Sequence, residues 1–160
     1  MAASQRDTRE TLTLRWLVVS IEFRPDPRVI EENRKLDPGT ADAAVLQETF
    51  FVMPLRLRVR DVELLEWQGE GFPLPLLDMA TVGLSTARRL GHGATTSLRL
   101  PANGNLYFER SGEDVLIRST QTRRAERAPY EDLLRAWEEF ATKVREFLVR
   151  EFPQLEDHPY

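Results

Sequence analysis

Cysteine is absent from this chain and histidine nearly so, with His92 and His158 the only two in 160 residues. The first absence excludes a disulfide framework, a thiolate zinc site and a cysteine nucleophile. The second excludes a metal centre built on several imidazoles, so neither a metal nor a cofactor is expected. Lysine is scarce too. Of 22 basic residues only Lys35 and Lys143 are lysines, leaving 20 arginines against 26 carboxylates and a formal charge of −4. That acidity argues against a nucleic-acid binder, whose phosphate contacts need a basic surface. No run approaches the ~20 apolar residues of a membrane helix. The opening segment, Met1 to Glu10, lacks the apolar stretch of a secretory signal. These absences predict a cytoplasmic protein with no membrane partner and a flexible N-terminus over 1–10.

What is present is an ordinary globular composition, 41% hydrophobic and 30% charged, in a chain long enough for one unassisted core. Residues 11–160 read as a single domain. From Thr11 to Arg24 apolar residues alternate, first Leu12, Leu14, Trp16 and Val18, then Leu17, Val19, Ile21 and Phe23. Period two predicts a strand, and the change of face predicts a bulge or a segment covered on both sides. Residues 25–44, with Asp26-Pro27, Asp37-Pro38-Gly39 and a charged patch at 31–35, read as a long mobile loop with at most one helical turn near Val29 to Lys35. A second strand is expected from Leu46 to Val62, at an edge or bulged, because Pro54 lacks a backbone donor.

Pro73 to Gly91 has helical spacing, with Leu76, Leu77, Ala80, Leu84, Ala87 and Leu90 in register, Arg88 and Arg89 in the last turn and Gly91 as a stop. Thr81, Val82 and Gly83 weaken its middle. Three short strands follow, Thr95 to Leu100, Leu106 to Arg110 and Val115 to about Thr122, joined by turns at Asn103-Gly104 and Gly112-Glu113. The last element is the most strongly patterned. Pro129 to Phe152 carries Leu133, Trp137, Phe140, Ala141, Val144, Leu148 and Phe152 on one stripe, with Glu131–Arg135, Glu139–Lys143 and Glu146–Arg150 spaced for ion pairs. The order β-β-α-β-β-β-α predicts an α+β fold, a single antiparallel sheet of about five strands with helices on one face.

No catalytic motif emerges. His92 lies between Gly91 and Gly93, a loop from which an imidazole can act as a base, yet no Gly-x-Ser-x-Gly pattern supplies a nucleophile for it. Arg56, Arg58 and Arg60 project from one face of the second strand, and Arg118, Arg123, Arg124 and Arg127 form a second basic cluster. Guanidinium forks bind carboxylates and phosphates. The simpler reading is a solvated strand face balanced by Glu22, Glu63 or Glu109. RNA would be helped by Tyr107 or Phe108, but no ribonucleoprotein-type aromatic motif accompanies them.

The Asn-Gly-turned meander ending in Gly112-Glu-Asp-Val-Leu-Ile117, the helix Tyr130-Glu-Asp-Leu-Leu-Arg-Ala-Trp137-Glu-Glu-Phe140 and the tail Pro153-Gln-Leu155-Glu-Asp-His158-Pro159 resemble small bacterial domains of unknown function. Some of these look like immunity proteins of polymorphic-toxin or contact-dependent systems, often actinobacterial. The resemblance spans roughly Leu74 to Tyr160 and is architectural, so it transfers no residue roles. It implies a small acidic cytoplasmic protein that neutralises a toxin by occluding it. The leading expectation is therefore a non-enzymatic protein-binding module with a toxin-like partner. The alternative is an enzyme or small anionic-ligand binder with a pocket between the sheet and the 25–44 loop, using Arg56, Arg58 and His92. Oligomeric state is open in either case.

Overall fold

The computed structural model describes residues 18–67 and 69–158. The class is α+β, but eight strands form two antiparallel sheets of four, not one sheet of about five. The first sheet holds β1 (Val19–Phe23), β2 (Val52–Val59), β3 (Val62–Leu65) and β4 (Phe72–Pro75). The second is the meander β5 (Thr95–Arg99), β6 (Asn105–Ser111), β7 (Asp114–Ser119) and β8 (Ala125–Pro129). The helices are α1 (Pro27–Lys35), α2 (Ala43–Thr49), α3 (Leu76–Arg89) and α4 (Tyr130–Glu151).

β1 follows the second of the two alternating phases: Val19 and Ile21 are buried and Ser20 and Glu22 face outward. Leu12, Leu14 and Trp16 of the first phase, Leu17 of the second and the N-terminal segment 1–10 lie outside the described residues, while Val18 is half-buried. The expected loop at 25–44 contains α1, a 3-10 turn at Pro38–Thr40 and the start of α2. Local capping explains this. Asp26 accepts from the Arg28 amide at 2.9 Å with Pro27 at the first helical position, and Asp42 accepts from the Val45 amide at 2.9 Å. Asn33 of α1 is buried and accepts from the Phe51 amide at 2.9 Å, which ties the segment to the head of β2.

The second strand starts at Val52 rather than Leu46, and it is not an edge. β2 has β1 on one side and both β3 and β4 on the other. Pro54 is tolerated because its carbonyl, on the β1 side, accepts from Arg24 N at 2.9 Å just where β1 ends. On the β4 side Pro54 opposes Pro73, a pair that exchanges no hydrogen bonds because Leu76 N donates to Phe51 O and so sets the alternate phase. Gly71 lies so close to this strand that a Cβ would sit 2.7 Å from Leu55 N.

Both long helices emerge from the end of a strand at a proline, with no intervening loop. Pro75 closes β4 and Pro129 closes β8. In each case the first helical amide still donates across the ladder, Leu76 N to Phe51 O and Tyr130 N to Glu113 O. The helix expected from Pro73 thus begins at Leu76, because its first prolines belong to β4. The fourth meander strand, β8, was not legible in Ala-Glu-Arg-Ala-Pro: charges on its open positions break the apolar pattern. In the β5–β6 turn the positive-φ pair is Ala102 (56°) and Asn103 (62°), one residue before the expected Asn-Gly pair.

α4 matches its expected span within one residue, and Leu133, Trp137, Phe140, Val144, Leu148 and Phe152 are all buried. Its surface pairs differ: Arg135 meets Asp132 and Arg150 meets Glu151. α4 packs on β1, β7 and β8, and α3 on β2, β4 and β5, so one core serves both sheets. Phe23 of β1 sits edge-on to Phe147 and Phe140 of α4, with ring centroids 5.2 and 6.1 Å apart. The chain end returns to the α1–α2 segment, with Leu155 fully buried and His158 Nε2 donating to the Ala41 carbonyl at 2.8 Å.

α3 and α4 meet at Gly83. A Cβ there would lie 2.7 Å from Trp137 Cε3 and closer still to Cζ3 and Cη2. The glycine that weakens the helix by roughly 1 kcal/mol is the notch that admits the indole. Gly83→Ala is therefore expected to destabilise by about 1–3 kcal/mol through overpacking, and Trp137→Ala by about 3–5 kcal/mol, measured by urea unfolding. In the Trp137→Ala background Gly83→Ala should be neutral or stabilising; additive losses would contradict the notch.

Candidate functional site

The four residues singled out by the sequence do not converge. Arg56 and Arg58 lie on the outer face of β2, whereas Arg60 occupies the two-residue β2–β3 turn at φ 53° and leaves the column. Arg56 is neutralised: it meets Glu63 at 2.6 Å and stands opposite Glu22 on β1. Arg58 stands between Ser20 and Glu63 in register. This is the balanced, solvated face.

His92 sits in the α3–β5 loop against Arg110, Nε2 to Nη2 3.4 Å. A guanidinium only donates, so in this contact Nε2 is the accepting nitrogen. Arg110 is buried, and among the described residues it has no ion pair. Its Nη1 donates to the Leu90 carbonyl at 2.9 Å and its Nε to the Gly112 carbonyl at 3.2 Å, while its guanidinium stacks 3.6 Å from the centroid of the Tyr130 ring. Tyr130 Oη donates in turn to the Ala87 carbonyl at 3.0 Å. The negative end of the α3 dipole and its unpaired carbonyls thus replace a counter-ion. The group is a structural clamp from the meander to the C-terminus of α3, and His92 is its outer member. Among the described residues, no three His, Asp or Glu side chains are grouped to hold a metal ion.

Among the described residues Asp78, in the first turn of α3, is the one carboxyl held above its ordinary range. Partial burial is the main cause and the Glu48 carboxylate of α2 adds to it.

The meander presents a different surface. Its inner face buries Leu98, Leu106, Phe108, Val115, Ile117 and Ala128, and its outer face carries Thr95, Ser97, Arg99, Tyr107, Glu109, Arg118, Ala125 and Arg127. Register places Ser97, Tyr107, Arg118 and Ala125 in one row across the four strands. Tyr107, within this row, is 40% exposed, with Ser97 on one side and Arg118 on the other. Phe108, the other aromatic considered, points into the core. A groove of about 620 Å³ runs over this face to the β7–β8 turn, lined by Tyr107, Glu109, Arg118, Thr120, Arg123 and Arg124.

The turn is fixed from beneath. The Gln121 side-chain amide bonds both the N–H and the carbonyl of Glu66, Thr122 Oγ1 donates to Leu64 O at 3.2 Å, and Arg124 meets Glu66 at 3.1 Å. These contacts cover the edge of β3 and join the two sheets. Arg118 pairs with Glu109 at 2.9 Å, whereas Arg99, Arg123 and Arg127 have no ion pair among the described residues. The arginine cluster at 118–127 was visible in the sequence. Tyr107's place in its row was not, because it depends on the register of four strands.

Compared with known proteins, no family model, curated protein or solved structure matches this chain. Among the described residues no helix is long and apolar enough to cross a membrane.

Arg110→Met is expected to cost about 2–4 kcal/mol, from the stacked cation and the abandoned carbonyls; Arg110→Lys should recover only part of this and His92→Ala should stay within about 0.5 kcal/mol. Full stability of Arg110→Lys in thermal unfolding would refute the forked clamp. For Asp78, a raised folded pKa penalises the ionised form at neutral pH, and the penalty disappears as pH falls through the folded pKa towards and below the ordinary 3.8. Asp78→Asn should thus be more stable relative to the parent at pH 7 than at pH 4, by unfolding at both pH values. A gap that widens on acidification would reverse the assignment.

Proposed function

We propose that this chain is a non-enzymatic protein-binding module, of the immunity-like kind that its C-terminal half resembles, and that it holds its partner on the outer face of the second sheet. The observation that carries the reading is the exposed Tyr107 row. An aromatic ring with an adjacent arginine, in one row with Ser97 and Ala125, has the composition of an interface centre, where tyrosine and arginine dominate binding energy. His92, the candidate base, is engaged by a guanidinium rather than by a nucleophile or carboxylate, which favours binding over catalysis.

The face is basic within an acidic chain. Arg99, Arg118, Arg123, Arg124 and Arg127 outnumber Glu109, Asp114 and the Glu66 that meets Arg124, against −4 for the whole protein. The partner surface it complements is acidic. Nucleic acid fits less well, since the remaining negative charge repels phosphate and Glu109 lies within the groove. A small anion is the second reading, supported by Arg118, Arg123 and Arg124 lining one groove of ligand-pocket size.

The test is co-expression with the product of the adjacent gene, followed by calorimetric titration: a co-purifying protein with a toxin domain would support the reading, and metabolic neighbours with no co-purifying partner would count against it. Tyr107→Ala and Arg118→Glu should each weaken the complex at least about tenfold, while Arg56→Ala, on the first sheet, should leave it unchanged. Equal affinity of all three variants with the parent would remove the second sheet as the working surface.

A further inference from the structure

The edges of the two sheets are treated unequally. β3 is covered by Gln121, Thr122 and Arg124 from the β7–β8 turn. β4 carries Pro73 and Pro75, whose nitrogens face away from β2, so the outer edge lacks those donors. β8 lies against β2 and β3. β5, the other edge of the meander, has none of these protections: among the described residues it pairs with β6 alone, and its five residues include no proline.

The hydrogen-bond phase of β5 follows from its two ends. Arg110 N donates to Ala94 O at 2.9 Å and Leu100 N to Gly104 O at 2.8 Å. Even-numbered residues therefore bond towards β6, and the N–H and C=O of Thr95, Ser97 and Arg99 point out of the sheet. Beneath this edge, a groove of about 590 Å³ separates β5 from α3, whose facing stripe of Thr81, Val82, Ser85 and Thr86 is uncharged and ends in Arg89. Val82 is 39% exposed. An uncharged helix stripe beside an open strand edge is unusual on a chain that is 30% charged.

We infer that β5 pairs antiparallel with β5 of a second copy of this chain, about a two-fold axis at Ser97, giving one continuous sheet across the dimer with the two α3 helices side by side beneath it. The charges select this occupant. In that register Ser97 opposes Ser97 of the other copy and Arg99 opposes Thr95, so no like charges face each other. Thr95 is small, and its neighbour across the ladder is Glu109. Arg99 then reaches over Thr95 towards the Glu109 carboxylate of the other copy, two strand spacings or roughly 10 Å between backbones, which suits a long arginine and a glutamate. Each outward N–H and C=O of β5 gains a partner, and the exposed Val82 stripes meet beneath. An extended peptide from another protein is the competing occupant, and it requires no such symmetry.

The absence of cysteine makes the register directly readable. Ser97 would form a mutually hydrogen-bonded pair with its own copy, with Cα atoms about 5.5 Å apart, inside the range a disulfide spans. In the full chain, Ser97→Cys should convert to a covalent dimer under mild oxidation, while Thr95→Cys, facing Arg99, should remain largely unlinked. Sedimentation equilibrium of the parent should show twice the mass of one chain. Ser97→Pro, which removes a donor outside the β5–β6 ladder, should raise the dimer dissociation constant about tenfold or more without changing the circular dichroism of the monomer. Val82→Asp should weaken the dimer in the same way, as a check independent of the strand backbone. A parent that stays monomeric at all concentrations, or a folded Ser97→Cys variant that links no faster than Thr95→Cys, overturns self-pairing. Tyr107→Ala should leave the mass unchanged, so failure here is separable from failure of the proposed partner face.

Discussion

The approach of α3 to α4 at Gly83 governs the architecture. With no side chain on Gly83, the Trp137 indole lies across the α3 backbone, and the two helices close to a distance that any larger residue would forbid. α3 grows out of the first sheet and leads into the second; α4 grows out of the second and packs back on β1. A single tight contact between them therefore closes both sheets over one core. It has a cost: Trp137 Nε1 is buried without a hydrogen-bond partner among the described residues. In return a large ring is fully buried, and its edge meets Phe140 at 5.8 Å in a geometry aromatic pairs favour.

Around that contact the chain repeats one device. A strand ends in proline and the next residue starts a helix whose first amide still belongs to the sheet. Proline suits both roles, since its φ fits an extended strand end and the first turn of a helix. The far end of α3 is secured differently, by Arg110 reaching from β6 to its last carbonyls. The helix is thereby anchored to one sheet at each end, and the buried cation finds carbonyl oxygens and a tyrosine ring where a carboxylate would be expected. This rigid base leaves the outer face of the meander and the edge of β5 free to meet other surfaces.

Much of the fold was legible along the chain. α4 was read nearly to the residue because its apolar stripe recurs over six turns, and the first three meander strands were marked by turn residues and alternation. The short elements were not. β3 and β4 have four residues each, too few for a period to show, and α1 and α2 sit among prolines and charges that read as loop. Pro54 indicated an edge or a bulge; it lies in the middle of a sheet because its missing donor falls where β1 has already ended, and the one register shift of β2 against β3 comes further on, between Leu57 and Arg58. As for the site, the arginines of β2 were visible as a column, and the register with Glu22 and Glu63 makes them a neutralised face.

The amino-acid order alone settled the class, the strongest helix, the presence of the first three meander strands and the exclusion of thiol and multi-histidine chemistry, because those depend on residue type and on periods of two and 3.6 within one segment. Only the tertiary structure decided that there are two sheets, that Gly83 is a socket rather than a flaw, that His92 faces a guanidinium, and that Tyr107 stands exposed in one row with Ser97 and Arg118. Each of these depends on which distant residues are brought opposite one another, and register between strands and the approach of two helices are set by the whole packed core, not by any one stretch of chain.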